Sequence, residues 1–111
     1  MKISSENYEQ ICVMALKGEL TADQTDQLRM TAIKRIDEQV RDFVLQVTEM
    51  ELVDSEGLET LLWLQERAGE QLGQVRLAGT TENVEKILEI TRLAPRFDRH
   101  LDVDSAIKSL R

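Results

Sequence analysis

Short apolar runs separated by longer amphipathic stretches dominate the hydrophobic pattern of the chain, and the short runs predict strands. Residues 11–16 and 43–47 form two such runs, rich in β-branched or aromatic side chains, and residues 74–78 form a third. Runs of this length are typical of strands that are buried on both faces of a sheet. We therefore expect three central strands.

Two weaker strands are expected near the ends of the sequence. Residues 2–5 predict a first strand that turns at Glu6 and Asn7 into the strand of residues 11–16, as a hairpin. Residues 97–101 predict a short last strand, whose apolar pattern is interrupted by charged and titratable side chains. Such interruptions are typical of an edge strand, because they discourage pairing with another chain.

The first amphipathic stretch predicts a helix after the strand of residues 11–16. Thr21 and Gln24 have the spacing of a capping box, in which the threonine oxygen accepts one free amide hydrogen and the glutamine side chain returns to another. The helix is expected to run from there to about Glu38. The apolar side chains that would face the sheet recur every four residues, namely Leu28, Ala32 and Ile36.

Three further amphipathic stretches predict helices. The second helix carries a leucine-rich face that begins at Leu58, and it should end at Gly69 or Gly73. Asp102 or Asp104 is expected to cap the fourth helix. The third and fourth helices are indicated by apolar stripes at helical spacing, namely Val84, Ile87, Leu88 and Thr91, and then Val103, Ala106, Ile107 and Leu110.

Strands and helices alternate along the chain from residue 11 onward, and this alternation indicates the fold class. It favours a largely parallel sheet joined by right-handed crossovers. We predict an α/β fold in a single domain, residues 1–111. The sheet is expected to be mostly parallel and four- to five-stranded, with an N-terminal antiparallel hairpin and about four packed helices.

Composition and charge narrow the class of partner. With 41% hydrophobic and 32% charged residues, the chain has the composition of a globular domain. Its apolar runs fall short of the roughly 18 residues that a membrane span requires. A formal net charge of -7 opposes binding to nucleic acid and to anionic lipid surfaces. The first residues lack the apolar core of a signal peptide, so we expect a cytoplasmic protein without membrane insertion.

One cluster of basic residues departs from this acidic character. Arg92, Arg96, Arg99 and His100 lie close together in sequence, directly after a predicted helix. They either complement the negative end of that helix dipole or bind an anionic or protein partner. The sequence leaves both interpretations open.

The side chains that enzymes and metal sites require are sparse. The chain has one cysteine, Cys12, and one histidine, His100, whereas thiolate and imidazole metal sites need several. Cys12 lies among apolar neighbours and is expected to be a buried thiol, and His100 is expected to have a solvated or structural role. The glycines form neither a dinucleotide-binding fingerprint nor a phosphate-binding loop. We therefore expect no cofactor, no metal site and no enzymatic activity.

The stretch of residues 51–58 follows a strand and opens the leucine-rich helix. Asp54 or Ser55 is expected to be its N-cap. A serine in the first turn also places its hydroxyl beside free backbone amides and the positive end of the helix dipole, where a phosphate can be held. Gly57 would let another surface approach the helix backbone closely.

The sequence V-D-S-E-G-L at residues 53–58 resembles the D-S-[ST]-G-L motif of the STAS family, which includes the anti-sigma factor antagonists. Three other segments resemble family motifs in the same order. They are K-G-E-L at residues 17–20, the strand that follows Gly73, and I-T-R-L at residues 90–93. The resemblance covers nearly the whole chain and implies a STAS-like fold.

The resemblance also implies a function and a set of site residues. In antagonists of that family, the serine after the aspartate is phosphorylated by an anti-sigma factor that is also a kinase, and the unphosphorylated form binds this partner and releases the sigma factor. By this resemblance Ser55 is the phosphoacceptor, and the partners are an anti-sigma factor/serine kinase and a PP2C-like phosphatase. The residues expected at the partner surface are Asp54, Ser55, Glu56, Gly57, Leu58, Glu19 and Thr21.

Three positions depart from the family pattern. Thr21 stands in place of an aspartate, Glu56 in place of a second serine or threonine, and Arg92 in place of a glycine. Glu56 adds a permanent negative charge beside the acceptor, so either kinase recognition has shifted or the site is no longer modified. Arg92 predicts that its loop does not use a left-handed glycine.

Two functions follow from the resemblance. The first is a partner-switching protein of the anti-sigma factor antagonist type, present as a monomer or weak dimer. The second is a STAS accessory subunit of a phospholipid-transporting ABC system, or another STAS regulatory domain that is not phosphorylated. An enzyme is the least supported class, because a catalytic base, a metal cluster and a phosphate loop are all missing from the sequence pattern.

Overall fold

Six strands and four helices account for most of the chain in the computed structural model, which describes residues 1–111. The strands are β1 (Lys2–Tyr8), β2 (Ile11–Leu20), β3 (Asp42–Gln46), β4 (Met50–Val53), β5 (Val75–Ala78) and β6 (Asp98–His100). The helices are α1 (Thr25–Asp37), α2 (Ser55–Glu70), α3 (Glu82–Ile90) and α4 (Val103–Ser109). None of these helices combines the length and the apolar character needed to cross a membrane.

All six strands belong to one sheet, in the order β1-β2-β3-β5-β6, with β4 paired to β2 beyond the end of β3. The β1–β2 pair is antiparallel and all other pairs are parallel. This arrangement confirms the predicted α/β class, the mostly parallel sheet and the N-terminal hairpin. The sheet has one more strand than the four to five predicted, because β4 was not expected.

The sheet separates two hydrophobic clusters. The larger contains 21 buried residues and fills the space between the sheet and the helices α1, α2 and α3. The smaller contains four buried residues, Ile11, Val44, Ala78 and Ala106, and lies under α4 on the opposite face. The strands with the longest apolar runs, β2 and β3, contribute to both clusters, as expected for strands whose two faces are apolar.

The hairpin turn differs from the prediction. β1 continues through Glu6 and Asn7 to Tyr8, which pairs with Ile11, so the turn lies at Glu9 and Gln10. Glu9 adopts a positive φ of 59°, as a tight two-residue turn between twisted strands requires. The polar residues Glu6 and Asn7 do not end the strand, because β1 is an edge strand and both side chains are exposed.

The start of α1 also differs from the prediction. Ala22–Gln24 form a 3-10 turn, and the α-helix begins at Thr25. The hydroxyl of Thr21 donates to Oε1 of Gln24 at 2.6 Å, so its oxygen does not cap a backbone amide. The predicted capping box is therefore wrong, because its two side chains bond to each other. At the fourth helix, Asp102 is the cap and accepts from the backbone N–H of Ser105 at 2.8 Å.

The ends of α2 and α3 share one hydrogen-bond pattern with a left-handed residue. After α2, Leu72 has a φ of 63° and the N–H of Gly73 donates to the Ala68 carbonyl at 2.7 Å. After α3, Arg92 has a φ of 63° and the N–H of Leu93 donates to the Leu88 carbonyl at 2.9 Å. This is the Schellman arrangement, in which such bonds satisfy the last carbonyls of a helix. The backbone at Arg92 is thus left-handed without glycine.

Candidate functional site

The carboxyl ends of β2 and β4 meet at one edge of the sheet and bring two sequence-distant segments together. Leu20 pairs with Val53 in the parallel register, and the backbone N–H of Asp54 donates to the Leu20 carbonyl at 3.2 Å. The loop after β2, which carries Thr21, therefore lies beside the first turn of α2, which carries Ser55. All the residues predicted for the partner surface belong to these two segments or adjoin them.

Asp54 connects the two segments through its carboxylate. Its Oδ1 accepts from the backbone N–H of Gly57 at 2.8 Å, which is an N-cap bond to α2. Its Oδ2 accepts from the backbone N–H of Ala22 at 3.1 Å, in the turn before α1. Because both carboxylate oxygens accept hydrogen bonds from backbone N–H groups, Asp54 fixes the position of the two segments relative to each other. Asp54 itself is half-exposed.

Ser55 is the first residue of α2 and its side chain is exposed. Of the two N-cap alternatives, the structure selects Asp54, so the serine hydroxyl is not used for capping. In the first turn, the N–H groups of Ser55 and Glu56 have no acceptor within the helix. These N–H groups form the positive end of the helix dipole, where a negative group on Ser55 would be stabilised.

Gly57 and Leu58 face the interior of the domain. A Cβ atom on Gly57 would lie 2.3 Å from the carbonyl oxygen of Leu20 and 2.8 Å from Cγ2 of Val53. The close approach that a glycine permits here is therefore made by β2 of the same chain, and Gly57 is buried. Leu58 is also buried and belongs to the larger core cluster. Both residues fix the position of the exposed residues next to them in sequence.

The exposed part of this surface is acidic. Glu19, Glu56 and Glu59 are exposed, and Thr21 is half-buried at its edge. Residues 19–24 and 50–60 contain no lysine, arginine or histidine. A phosphate on Ser55 would therefore meet helix N–H groups on one side and carboxylates on the other, with no cation supplied by these segments.

The sequence pattern did not indicate how α3 adjoins this surface. The side chain of Asn83, in the first turn of α3, donates to the backbone carbonyl of Glu51 at 3.0 Å. This contact holds the start of α3 beside β4, whose Leu52 remains 39% exposed. The surface around Ser55 consequently extends across β4 toward α3, an extension that depends on a strand too short to be recognised from its pattern.

Similarity to known proteins extends over nearly the whole chain. A sequence model of the STAS domain family matches residues 2–106. The chain belongs to the STAS domain family. A comparison with curated protein sequences gives no match.

Solved structures share the fold of this STAS domain at low sequence identity. The Thermotoga maritima protein TM1081 has a TM-score of 0.89 at 15% identity, covering 98% of this chain and 94% of that chain. The anti-sigma factor antagonist SpoIIAA has a TM-score of 0.85 at 20% identity, covering 99% and 96%. A sulfate transporter family protein from Wolinella succinogenes has a TM-score of 0.74 at 18% identity, covering 93% and 86%.

The titratable residues considered for catalysis do not meet at the site around Ser55. Cys12 is buried in β2, and its burial raises the pKa of its thiol to about 11. His100 is half-buried in β6, at the far edge of the sheet. In the STAS domain neither residue lies in the segments that carry Ser55.

The cluster of basic residues near α3 has a partly structural role. Nε of Arg99 pairs with a carboxylate oxygen of Glu85 at 2.8 Å. Nη1 of Arg99 also donates to the carbonyl of Phe97 at 3.0 Å. Arg92 and Arg96 are exposed, and Arg92 follows the C-terminal end of α3. Arg99 thus stabilises the domain, whereas Arg92 and Arg96 present their side chains to solvent.

Removal of the Asp54 carboxylate is expected to loosen both segments that it joins. Asp54→Ala removes an N-cap bond, which is worth about 0.5–2 kcal/mol of stability. It also frees the N–H of Ala22, so amide exchange should accelerate at Ala22 and Gly57 together. Hydrogen exchange measured by NMR would test this, with Glu56→Ala as the control because Glu56 makes no side-chain hydrogen bond. Unchanged exchange at Ala22 would contradict the bridging role of Asp54.

Proposed function

We propose that this STAS domain is a partner-switching protein of the anti-sigma factor antagonist type. In its unphosphorylated form it binds an anti-sigma factor that is also a serine kinase, and it is inactivated by phosphorylation of Ser55. A PP2C-like phosphatase would restore the binding form. The observation that carries the proposal is the exposed hydroxyl of Ser55 in the first turn of α2, left free because Asp54 caps the helix.

The geometry supports a phosphate acceptor more than a catalytic group. A kinase supplies its own catalytic base and metal ions, so its substrate needs only an accessible hydroxyl. Ser55 meets this requirement, and the helix N-terminus can stabilise the added charge. SpoIIAA, which shares the fold, has been solved in an unphosphorylated form and, from Bacillus, in a phosphorylated form.

The proposed partner surface combines exposed and buried residues with different tasks. Ser55, Glu56 and Glu19 are exposed and would contact the partner directly, with Thr21 at the edge. Asp54, Gly57 and Leu58 would act through the backbone geometry that they maintain. We propose that the protein acts in the cytoplasm, as a monomer or weak dimer, and that it has no enzymatic activity of its own.

Phosphate transfer from the cognate kinase tests the proposal. Incubation with that kinase and ATP should add one phosphate to the wild-type domain and none to Ser55→Ala, as measured by intact-mass spectrometry. Ser105→Ala is the matched control, since Ser105 is an exposed serine near the start of another helix, α4. Phosphate that persists in Ser55→Ala would reject the assignment. Thr60 is a poor alternative acceptor because it is fully buried.

The second candidate function is that of a transporter-associated STAS domain, such as an accessory subunit of a phospholipid-transporting ABC system. Two observations favour it: the fold is shared with a sulfate transporter family protein, and Glu56 places a permanent charge beside Ser55. Co-purification from the native cell separates the two functions. A soluble kinase as the bound protein supports the switch, whereas an ATPase subunit supports the transporter role.

A further inference from the structure

The two faces of the sheet are covered unequally. Three helices pack on one face, whereas α4, with seven residues, is the only helix on the other. α4 contacts β3, β5 and β6. α4 covers Ile11 of β2, but β1 and the rest of β2 have no helix above them on this face. β2 also pairs in parallel with β3, and strands of parallel sheets are normally covered on both faces.

A groove of about 520 Å³ occupies this uncovered half, between β1, β2 and α4. Its floor includes Val13 and Ala15 of β2, and its wall includes Val103 and Ile107 of α4. A strand that faces water on one side usually alternates apolar and polar residues. In β2 both faces are apolar, yet Val13 and Ala15 remain half-exposed. The sequence of β2 is therefore that of a strand covered on both faces.

The rim of the groove carries unpaired negative charge. Glu6 on β1 and Asp104 on α4 are the charged residues that line it, and both are exposed. Neither belongs to an ion pair of the domain. Tyr8, which is 47% exposed, also lines the groove and donates its hydroxyl to Glu6. A ligand that matches the groove is apolar along its centre and basic along its edges.

The width of the uncovered surface corresponds to one helix. Two neighbouring strands lie about 4.8 Å apart, so with their side chains they present a band about 10 Å wide. An α-helix with its side chains has a diameter of about 10–12 Å. We propose that this groove, lined by Val13, Ala15, Ile107, Glu6 and Asp104, docks one basic amphipathic helix of a partner protein.

The docked helix completes the second layer of the domain. Its apolar side chains pack on Val13, Ala15 and Ile107, and its lysine or arginine side chains meet Glu6 and Asp104. The groove lies on the face opposite α2 and so is separate from the surface around Ser55. Docking here does not depend on the phosphorylation switch, and the domain can hold one partner at each surface.

A synthetic amphipathic peptide helix tests this inference. The probe has leucines on one face and lysines on the other, and its matched control carries glutamate at each lysine position. In NMR titrations of the labelled full chain, the lysine peptide should shift amide signals of β1, β2 and α4, and the glutamate peptide should shift none. Equal binding of the two peptides, or shifts confined to the first turn of α2, would overturn the proposal.

Variants of the groove give the second arm of the test. Glu6→Lys combined with Asp104→Lys should weaken the lysine peptide about tenfold and favour the glutamate peptide, because rim charges set such preferences. Ala15→Phe should block binding by filling the groove, and Glu89→Lys, on the opposite face, should leave it unchanged. Unchanged affinity in both groove variants, with native melting temperatures, would overturn the proposal. Concentration-dependent dimerisation through these residues would also overturn it, because the occupant would be a second copy.

Discussion

Gly57→Ala is expected to lower the free energy of unfolding by about 2–4 kcal/mol. The new methyl carbon would lie 2.3 Å from the Leu20 carbonyl oxygen, which is backbone and cannot rotate away. Overpacking of this kind costs about 1–3 kcal/mol. The same carbonyl accepts from Asp54, and losing that hydrogen bond adds about 0.5–1.5 kcal/mol. Urea denaturation with equal slopes for variant and wild type would measure the difference.

Gly69→Ala is the matched control for this prediction. Gly69 lies in the last turn of the same helix, and a Cβ atom there would have no neighbour within 4 Å. The substitution should stabilise the domain by about 0.5–1 kcal/mol, because alanine loses less backbone entropy in a helix than glycine. Equal midpoints for Gly57→Ala and wild type would show that β2 and α2 are not in the close contact described.

Phosphorylation of Ser55 is expected to reduce partner affinity by more than about a hundredfold while the domain stays folded. The phosphate adds about -1.5 to -2 charges at neutral pH. Within the domain the helix N-terminus attracts this charge by about 0.3–2 kcal/mol. The exposed carboxylates of Glu56 and Glu59 repel it by no more than about 1 kcal/mol each, because the site is screened by solvent.

The free-energy cost of the phosphate is larger when a partner covers Ser55. A doubly charged group would lose water there without a cation from residues 50–60 to meet it, and an unpaired buried charge costs several kcal/mol. Ser55→Ala should therefore still bind, whereas Ser55→Asp and the phosphoprotein should bind weakly. Thermal melts of all three forms should coincide within a few degrees. A large drop in melting temperature would show that unfolding, not recognition, explains the lost binding.

The strands and helices that sequence predicted correctly depend on local patterns. β3 contains the apolar run of residues 43–45, β5 is apolar except at Arg76, and the apolar residues of α2 recur at helical spacing, which makes its inner face evident. The sequence of β4 does not predict a strand, because its four residues show no alternation and only Met50 and Val53, at its ends, are buried. It is a strand because it pairs with the end of β2, a contact that local sequence does not encode.

The errors at element ends have the same origin. The polar residues Glu6 and Asn7 predict a hairpin turn because such residues often mark turns, but an exposed edge strand tolerates them. Thr21 is a residue type that often caps helices, yet its hydroxyl donates a hydrogen bond to the side chain of Gln24 and caps no backbone amide. Arg92 adopts a left-handed backbone because two hydrogen bonds of the Schellman type offset a cost of about 1–2 kcal/mol.

The sequence predicts only the part of the candidate site that lies within residues 53–58. A serine beside an aspartate at a helix start could be read directly from residues 53–58, since capping acts over three residues. The bond from Ala22 to Asp54 joins residues 32 positions apart, and so does the bond from Asn83 to Glu51. These contacts unite three segments into one surface. The first accompanies the parallel pairing of β2 with β4, and the second accompanies the packing of α3 beside β4.

Titration calorimetry against one partner, before and after phosphorylation of Ser55, shows whether this serine controls partner binding. The partner is the kinase-type anti-sigma factor, and the same preparation of the STAS domain is used in both forms. We expect clear binding by the unphosphorylated domain and an affinity more than about a hundredfold lower for the phosphorylated domain. Equal affinity of the two forms would show that phosphorylation of Ser55 does not control partner binding.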